Sequence, residues 1–459
     1  MNSFAKYQSD TIVAIATPKG KAALAIIRIS GADTFEIVKK IIPPHSPLVK
    51  GGKVKEDYIQ NKMYRATFVD DEQILDHGML CLFKAPKSYT GEDMAELYCH
   101  GNDFIVSQIL ESLLKHCRLA EKGEFTFRAF LNKKIDLTQA EAVGNLLNAE
   151  TKKSQKAALL QLKGKLCQKI KGLLEKIIEI RVIFELAIDF IEDEVPEFQP
   201  ENVLNKMQNI LDELKTLIDT GKDGIIIQSG IKICLIGAPN VGKSSIFNAF
   251  LKEDRAIITP IPGTTRDYLE EVFSLDGNKI RLFDTAGIHQ TTDPIEMIGI
   301  ERSKKLINEA DIVFYITDPT IEESVNINIL DTIPKDKIIK IMNKIDLWKS
   351  EMSYLNDYIP CSTITKDGLN ALKNELLKRF KDIDLEIESG IITNARQLAC
   401  VKNAFFHLSK AADSMKNNLT LDCIAFDIMQ ASNALEEIIG KLTPDDILNK
   451  IFDNFCIGK

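Results

Sequence analysis

The sequence predicts a multidomain α/β protein made of an N-terminal α+β domain and a discontinuous all-α helical domain, with a parallel α/β domain inserted into the latter. Three observations support this fold class. Segments with β-branched, alternating residues dominate the first 130 residues, as in Ala22–Ser30. Proline-free stretches with apolar residues at helical spacing follow, and they resume near the C-terminus. Between them, short apolar runs end in glycine or polar residues, as parallel strands do.

These changes of residue pattern divide the chain into four segments with three boundaries between them. We predict an N-terminal domain over residues 1–130, a first helical part over 131–229, the inserted domain over 230–382 and a second helical part over 383–459. Because helical segments flank the inserted domain on both sides, a movement within it can reach two helical attachments at once.

Composition restricts the classes of function. The 58 basic and 66 acidic residues give a formal charge of −8, so contact with RNA would need a local basic patch or a basic partner. The nine cysteines are scattered and include no C-x-x-C pair, which argues against a disulfide framework and a zinc site. The sequence shows neither a signal peptide nor an apolar run of transmembrane length. We therefore expect a cytoplasmic protein without membrane attachment.

Arg28 is an unusual residue of the N-terminal domain, because it lies inside a strand-like run. Ile27 and Ile29 flank it, so its side chain lies on the opposite face of the strand from theirs. On this pattern alone, a solvated outer face of the sheet is the preferred interpretation. The other elements predicted here are a strand from Asp10, a helix over Ala32–Ile42 and strands over Lys62–Val69 and His77–Phe83.

The segment Ser88–Gly101 combines carboxylates, a histidine and glycines around a short strand. His100 by itself is a poor ligand set for a metal ion. A polar pocket for a small molecule is therefore the preferred interpretation.

The helical segments carry signals for their ends. Asp136 is predicted as an N-cap and Gln139 as the residue that reaches back to it, which together form a capping box. The proline-free run from there to Asp189 predicts one or two long helices. Thr443 is predicted as the N-cap of the last helix, with Pro444 at its first position. Further helices are predicted over Glu201–Asp219, Gln397–Lys416 and Asp422–Ile439.

A strand that runs into G-x-x-x-x-G-K-S opens the inserted domain. Gly237 and Gly242 permit tight turns, so that successive backbone N–H groups point at phosphate oxygens. Lys243 places a cation on the terminal phosphates, and Ser244 offers a hydroxyl to Mg²⁺. The following helix directs its positive end at the same anion. The predicted nucleotide contacts of this loop are Asn240, Val241, Gly242, Lys243, Ser244 and Ser245.

Three more motifs follow predicted strands. The D-x-x-G motif at Asp284 suits the second shell of Mg²⁺ and a contact to the γ-phosphate. In the N-K-x-D motif, Asp346 can accept two hydrogen bonds from the edge of guanine, and adenine lacks those donors. The third motif is Ser362–Ile364, which lies where GTPases use a further loop against the base. Four such motifs in order predict a Ras-like P-loop domain that binds GTP. The contacts predicted from these three motifs are Asp284, Thr285, Ala286, Gly287, Asn343, Lys344, Asp346, Ser362, Thr363 and Ile364.

The first switch is predicted between the P-loop and the D-x-x-G motif. Thr265 is the natural second hydroxyl ligand of Mg²⁺, and Arg266 directly after it would point away. The Asn240 side chain and backbone carbonyls of this switch can form an oxygen cage for a monovalent cation, where an arginine would otherwise act. The predicted contacts in this switch are Thr259, Pro260, Ile261, Pro262, Gly263, Thr264 and Thr265.

The residue that orients the attacking water is not the glutamine of many GTPases, because Ile288 follows the D-x-x-G motif. Glu296 could hold the water through a bridging water molecule. His289 is the alternative base, and a solvated switch histidine without a catalytic role also fits.

With these motifs, the chain resembles the MnmE (TrmE) family of tRNA modification GTPases over essentially its whole length. The blocks that carry the resemblance begin at Asp10, Tyr89, Gly123, Asp136, Ile298 and Phe455, in addition to the GTP motifs. The resemblance implies an N-terminal domain that dimerises the protein. It also implies that this domain binds 5,10-methylene- or 5-formyl-tetrahydrofolate through Arg28, Glu96, Lys134 and Lys459.

The resemblance implies the remaining site residues as well. Glu296 would orient water, and Cys456 matches a C-terminal cysteine near the folate site whose chemical role the sequence leaves open. Ser244 and Thr265 would hold Mg²⁺. The implied ligands of K⁺ are Asn240, Thr259, Ile261 and Thr264.

Family members act with a flavin-dependent (FAD) partner, MnmG or GidA, in a heterotetramer. Together they add a carboxymethylaminomethyl or aminomethyl group to C5 of the wobble uridine of certain tRNAs. A GTP-gated assembly or scaffold protein is the alternative function. The folate-type residues and Cys456 favour modification chemistry over that alternative.

The chain departs from the family pattern at three places. Pro18–Ala23 replaces a glycine-rich turn, His289 replaces an arginine, and Ser362–Thr363 replaces Ser-Ala. None of these changes removes a proposed metal or phosphate ligand.

Overall fold

The computed structural model describes residues 10–42, 49–50, 53–54, 62–71, 73–189, 199–253, 269–284, 306–319, 333–347, 357–379, 390–453 and 455–459. It divides the chain into two compact units. Unit one comprises residues 1–147, 161–210 and 403–459, and unit two comprises residues 148–160 and 211–402. The predicted multidomain α/β class is confirmed, whereas the three domain boundaries stay a prediction. No helix in the ranges just given is long and apolar enough to cross a membrane.

Unit one contains a six-stranded sheet that is antiparallel except for its last pair of strands. The strands of the described part of this unit are β1 (Ile12–Ile15), β2 (Ala22–Ser30), β3 (Val49–Lys50), β4 (Lys53–Val54), β5 (Met63–Asp70), β6 (Gln73–Phe83), β7 (Met94–Gly101) and β8 (Arg118–Leu119). The sheet order is β5-β6-β7-β2-β1-β8, and β3 and β4 form a separate small hairpin.

Successive side chains along these strands point to opposite faces of the sheet. Ile27 and Leu97 are fully buried in the core between the sheet and two helices, with Ile109. Arg28 and Glu96, one residue out of phase with them, lie on the other face. That face also carries a second buried apolar cluster, which includes Ile12, Met94 and Phe125. The helices are α1 (Thr34–Lys40) and α2 (Asp103–Leu114).

The other helices within the described ranges include those over the proline-free segments predicted to be helical. In chain order they are α3 (Glu124–Leu131), α4 (Leu137–Leu147), α5 (Lys152–Leu162), α6 (Lys165–Asp189), α7 (Pro200–Ser229), α8 (Lys243–Glu253), α9 (Leu369–Lys378), α10 (Ala395–Lys416), α11 (Leu421–Ile439) and α12 (Asp445–Phe452).

The predicted capping box is confirmed at the start of α4. The Asp136 carboxylate accepts from the N–H groups of Thr138 (2.8 Å) and Gln139 (3.1 Å), and the Gln139 side chain accepts from the Asp136 N–H (3.0 Å). These bonds satisfy backbone donors that the first helical turn leaves without partners.

Two local predictions were wrong. The run from Leu137 to Asp189 forms three helices instead of one or two, because Thr151 and Ser154 exchange capping bonds before α5 and Gly164 adopts a positive φ of 77° after it. Thr443 does not cap α12, since its hydroxyl donates to the carbonyl of Glu437 (2.9 Å) and the helix begins two residues later.

Unit two is built around a second six-stranded sheet in the order β10-β11-β9-β12-β13-β14. All neighbours are parallel except β10, which is antiparallel to β11. Its apolar strands pack against α8 and α9. Strands that are buried on both faces are typical of parallel sheets. The strands are β9 (Ile231–Ile236), β10 (Leu269–Leu275), β11 (Asn278–Asp284), β12 (Ile312–Thr317), β13 (Ile338–Met342) and β14 (Ile359–Pro360).

Candidate functional site

The P-loop joins the carboxyl end of β9 to the start of α8, where parallel sheets place their ligand sites. Lys243, the first residue of α8, donates from Nζ to the carbonyls of Gly237 (3.0 Å) and Ala238 (2.9 Å). The ammonium group is therefore folded over the loop, at the positive end of the helix. Ser244 and Ser245 follow it in the first turn.

The N-K-x-D motif follows β13 and contacts the P-loop directly. Asn343 donates from Nδ2 to the carbonyl of Val241 (2.8 Å), and Lys344 donates from Nζ to the carbonyl of Asn240 (2.5 Å). Asn343 is 1% exposed, and its side-chain Oδ1 is buried without a hydrogen-bond partner. An orphaned buried acceptor of this kind fits a site that a ligand donor completes.

The loop after β14 lies against the same motif. Ser362 donates from its hydroxyl to Asp346 Oδ1 (2.5 Å) and accepts from the N–H of Ile364 (3.3 Å). Thr363 lies between these two residues of the loop. The structure thus brings the P-loop, the N-K-x-D motif and Ser362–Ile364 together at one edge of the sheet.

Asp318 belongs to this cluster, and the sequence analysis missed it. It comes directly after β12, is 2% exposed, and accepts from Lys344 Nζ at 2.8 Å. A signal was present, because an aspartate ends an apolar strand that lies between two strands followed by motifs.

Several predicted residues lie outside the described part of the chain. They are Thr259, Pro260, Ile261, Pro262, Gly263, Thr264, Thr265, Thr285, Ala286, Gly287, His289 and Glu296. Asp284 is described as the last residue of β11, paired in register with Leu235 of the strand that enters the P-loop. The backbone therefore places the start of the D-x-x-G motif beside the P-loop.

A second polar site lies on the sheet of unit one. Arg28 of β2 and Glu96 of β7 are cross-strand partners, and Glu96 Oε1 accepts from Arg28 Nε (3.0 Å) and Nη2 (2.8 Å). The guanidinium lies 5.7 Å from the ring centre of Tyr89 and 5.6 Å from that of Phe125. Since the Arg28 side chain is only 17% exposed, the interpretation as a solvated outer face does not hold.

Tyr98 completes the fixation of Glu96. Its hydroxyl donates to Glu96 Oε2 at 2.8 Å. Burial, followed by this hydrogen bond to a carboxylate, raises the pKa of Tyr98 to about 12. Tyr98 is therefore a neutral donor at physiological pH, and the carboxylate of Glu96 is held from both sides.

The C-terminal tail reaches the same site. Arg28 Nη1 donates to the carbonyl of Gly458 (3.2 Å), and the N–H of Phe125 donates to the carbonyl of Lys459 (3.2 Å). The N–H of Gly123 donates to the carbonyl of Cys456 at 3.3 Å. The Cys456 side chain is exposed. Arg28, Glu96, Cys456 and Lys459 are thus brought to one region of unit one.

Lys134 lies beside the loop that carries Tyr89. Its Nζ donates to the carbonyl of Pro86 (2.9 Å), and its aliphatic stem faces Gly91. Lys134 follows α3 closely along the chain. Helix α3 contacts the loop through Thr126, whose hydroxyl lies 2.9 Å from that of Tyr89.

A buried ionic network supports the Tyr89 loop, and the sequence analysis did not identify it. Arg128 is 1% exposed and donates to Glu124 Oε1 (2.9 Å), to Glu92 Oε2 (3.1 Å) and to the carbonyl of Asp10 (2.8 Å). Burial tends to raise the pKa of Glu124, but hydrogen bonds led by that from Arg118 lower it below its usual value. A single arginine among the phenylalanines of α3 was the available signal.

The segment around His100 holds no metal cluster. His100 Nδ1 lies 2.8 Å from Asp76 Oδ1, and no group of three His, Cys, Asp or Glu side chains suited to a metal ion occurs among the residues with described positions. The interpretation of Ser88–Gly101 as part of a polar pocket for a small molecule stays a prediction.

Comparison with known proteins identifies the family. The family model described as "MnmE helical domain" matches residues 137–456, and the one described as "GTP-binding protein TrmE N-terminus" matches residues 11–134. Three similar curated proteins are each named "tRNA modification GTPase MnmE". The protein of Aquifex aeolicus is 39% identical over 457 residues, covering 98% of this chain and 100% of its own length.

The other two relatives agree. The protein of Finegoldia magna is 40% identical, covering 98% of this chain and 100% of its own length. That of Carboxydothermus hydrogenoformans is 38% identical over 463 residues, covering 98% and 99%. The P-loop joined to a guanine-type N-K-x-D motif and this similarity over nearly the whole length lead to one conclusion: the chain is a GTP hydrolase and belongs to the MnmE family of tRNA modification GTPases.

Proposed function

We propose that this protein is a K⁺-dependent GTP hydrolase that drives modification of the wobble uridine of certain tRNAs. In this proposal it acts with a flavin-dependent partner of the MnmG (GidA) type. The product is a carboxymethylaminomethyl or aminomethyl group at C5 of that uridine. The single observation that carries the proposal is the Arg28–Glu96 pair, joined by the C-terminal tail, in a chain that also carries a GTP site.

The Arg28–Glu96 site fits a tetrahydrofolate. An ionised carboxylate offers about four acceptor positions, and the bond from Tyr98 uses one of those on Glu96 Oε2. It can therefore accept an N–H from the edge of a pterin ring. Lys134 and Lys459 supply cations suited to the glutamate tail. When bound, 5,10-methylene- or 5-formyl-tetrahydrofolate supplies the one-carbon unit.

The donor set near the P-loop fits the two proposed cations. Ser244 offers a hydroxyl at the positive end of α8 beside Lys243, where a nucleotide-bound Mg²⁺ needs a ligand. Asn240 has a positive φ of 63°, within the turn of the P-loop, and its side-chain oxygen suits a hard monovalent cation. Thr265 would complete the Mg²⁺ site, and the other proposed K⁺ ligands are Thr259, Ile261 and Thr264.

Two residues carry proposed chemical roles. Glu296 orients the water that attacks the γ-phosphate, in place of the glutamine that this chain lacks. Cys456 acts in the modification step near the folate, and the exposure of its side chain leaves the sulfur accessible. The proposed assembly is a homodimer that binds two partner subunits in a heterotetramer and acts on tRNA.

The decisive experiment is mass spectrometry of tRNA nucleosides from cells with and without this protein. We expect the modified wobble nucleosides to disappear on deletion, and to return with the wild-type chain. A variant with Lys243→Ala, which cannot contact the terminal phosphates, should fail to restore them. Unchanged nucleosides in the deletion strain would instead favour the alternative function, a GTP-gated assembly or scaffold protein.

A further inference from the structure

Lys344 is held between two parts of the GTP site. Its Nζ lies 2.8 Å from Asp318 Oδ2 and 2.5 Å from the carbonyl of Asn240. The Asp318 side chain is 1% exposed, whereas that of Lys344 is 31% exposed. Without this contact, the Lys344 side chain could extend into water. The buried carboxylate instead holds it against the backbone of the P-loop.

The contact fixes the part of the P-loop that turns. Asn240 has a left-handed backbone conformation with a φ of 63°, and Lys344 has one with a φ of 57°. Non-glycine residues adopt this conformation at a cost that surrounding contacts must offset. Asn343 adds a second bond to the next residue, Val241, at 2.8 Å. The base-binding motif thus holds Asn240 and Val241 from the side of the sheet.

We propose that Asp318 is a positioning residue for cation activation. It holds Lys344 against the Asn240 carbonyl, and this contact orients the Asn240 side chain toward the monovalent cation. The inference rests on the proposed function, because that function makes Asn240 a K⁺ ligand. It adds the residue that follows β12, acting through Lys344, to the determinants of K⁺ affinity.

Loss of the Asp318 carboxylate weakens K⁺ binding in two ways, through the position of Asn240 and through the local charge. Without the carboxylate, the ammonium of Lys344 loses its partner and can move toward solvent, so Asn240 loses a bond that fixes its backbone. The region near the cation also becomes more positive by one charge, which disfavours K⁺. Both effects weaken cation binding and leave the catalytic groups in place when the cation is saturating.

Asp311 provides a matched control on the same strand. It lies just before β12, at the opposite end from Asp318, and its Oδ2 accepts from the N–H of Lys232 at 2.9 Å. Replacement of either aspartate by asparagine removes one negative charge at one end of this strand. Only the replacement at position 318 removes the charged partner of Lys344, since the asparagine oxygen can still accept a hydrogen bond but carries no charge.

The test is a K⁺ titration of GTP hydrolysis, with total ionic strength held constant by Na⁺, for the wild type, Asp318→Asn and Asp311→Asn. For Asp318→Asn we expect the half-activating K⁺ concentration to rise about tenfold, the size expected for loss of a charge-assisted hydrogen bond. Saturating K⁺, with GTP also saturating, should restore most of the hydrolysis rate that this variant loses at low K⁺. Asp311→Asn should give the wild-type curve.

Two results would overturn the inference, and they differ. A wild-type chain with equal rates in K⁺ and Na⁺ would remove the cation part of the proposed function and the inference with it. If K⁺ stimulates the wild type and Asp318→Asn gives the same titration curve, the role of Asp318 is wrong but the proposed K⁺ dependence stands. Thermal unfolding of each variant checks the fold. If Asp318→Asn does not fold, Asp318→Glu decides, since it keeps the charge but shifts the carboxylate and should give an intermediate K⁺ requirement.

Discussion

Arg128 shows how a single charge can hold a binding loop in place. It is 1% exposed and bonds to Glu92, Glu124 and the carbonyl of Asp10. Glu92 in turn accepts from the hydroxyl of Ser30 at 2.7 Å. The network therefore joins α3, the Tyr89 loop and β2, which carries Arg28.

Replacement of Arg128 by methionine should destabilise unit one strongly. The change removes one of the two guanidinium groups that pair with the buried carboxylate of Glu124, while Arg118 stays bonded to it at 2.6 Å. We therefore expect a cost of about 3 kcal/mol, the low end for breaking a buried pair. Chemical denaturation measures the effect. Arg181→Met is the control, because Arg181 forms an exposed pair with Glu185, 2.8 Å apart, and should change stability by roughly 0.5 kcal/mol or less. Equal stabilities of the two variants would contradict the network's role.

Glu124 predicts an acid dependence of stability. Burial tends to raise its pKa, but hydrogen bonds from Arg118, the Glu121 backbone and Arg128 lower the pKa below its ordinary value of 4.5. A lowered pKa in the folded state stabilises the protein above pH 4.5, and this contribution is lost as pH falls below that value. Urea unfolding between pH 7 and pH 3 should show the loss, and Glu124→Gln should show a smaller pH dependence over that interval. An equal dependence in both proteins would assign the acid effect to other carboxylates.

The C-terminal tail acts as an element of the N-terminal site. Gly458 has a φ of 93°, and a Cβ at this position would overlap the carbonyl oxygen of Ile15. Only glycine fits both the backbone conformation and the close approach. The tail can then place its carbonyl groups against Arg28 and the N–H of Phe125.

Gly458→Ala should displace the tail and weaken tetrahydrofolate binding. We expect a loss of affinity of about tenfold, since one bond to a guanidinium and the adjoining backbone contacts are disturbed together. Calorimetry with 5-formyl-tetrahydrofolate measures it. Ile457→Val, at a neighbouring exposed position, should bind as the wild type does. Wild-type affinity in the alanine variant would show that the tail does not contribute to the site.

At the scale of the whole molecule, the two sites belong to different compact units. The GTP motifs lie in unit two, and Arg28, Glu96 and Cys456 lie in unit one. We therefore expect that substitutions in one unit can change one of the two proposed activities without the other.

Cys456→Ser should separate the two activities. The thiol is remote in sequence from the GTP motifs, so we expect hydrolysis at the wild-type rate. Loss of the sulfur nucleophile should abolish wobble-uridine modification, measured by mass spectrometry of tRNA nucleosides. The exposed Cys423, changed to serine, is the control and should retain both activities. Modification by the Cys456 variant would leave this thiol with a structural role only.

The sequence alone determined the chemistry that depends on consecutive residues. A phosphate-binding loop needs its glycines, lysine and serine within eight positions, and helix caps such as Asp136 with Gln139 act over three, so local spacing reveals them. The apolar patterns of strands and helices are also local, since they repeat every two residues in a strand and every 3.6 residues in a helix. Where local signals were ambiguous, as between Leu137 and Asp189, the number of helices was predicted wrongly.

Tertiary structure decided the contacts that join distant parts of the chain. Arg28 meets Glu96 across 68 residues and Gly458 across 430, and these partners follow from strand register and from the docking of the tail. The same holds for the burial of Arg128 and for Asp318 beside Lys344. Burial and pairing depend on which surfaces pack together through space, and no spacing along the chain encodes that directly.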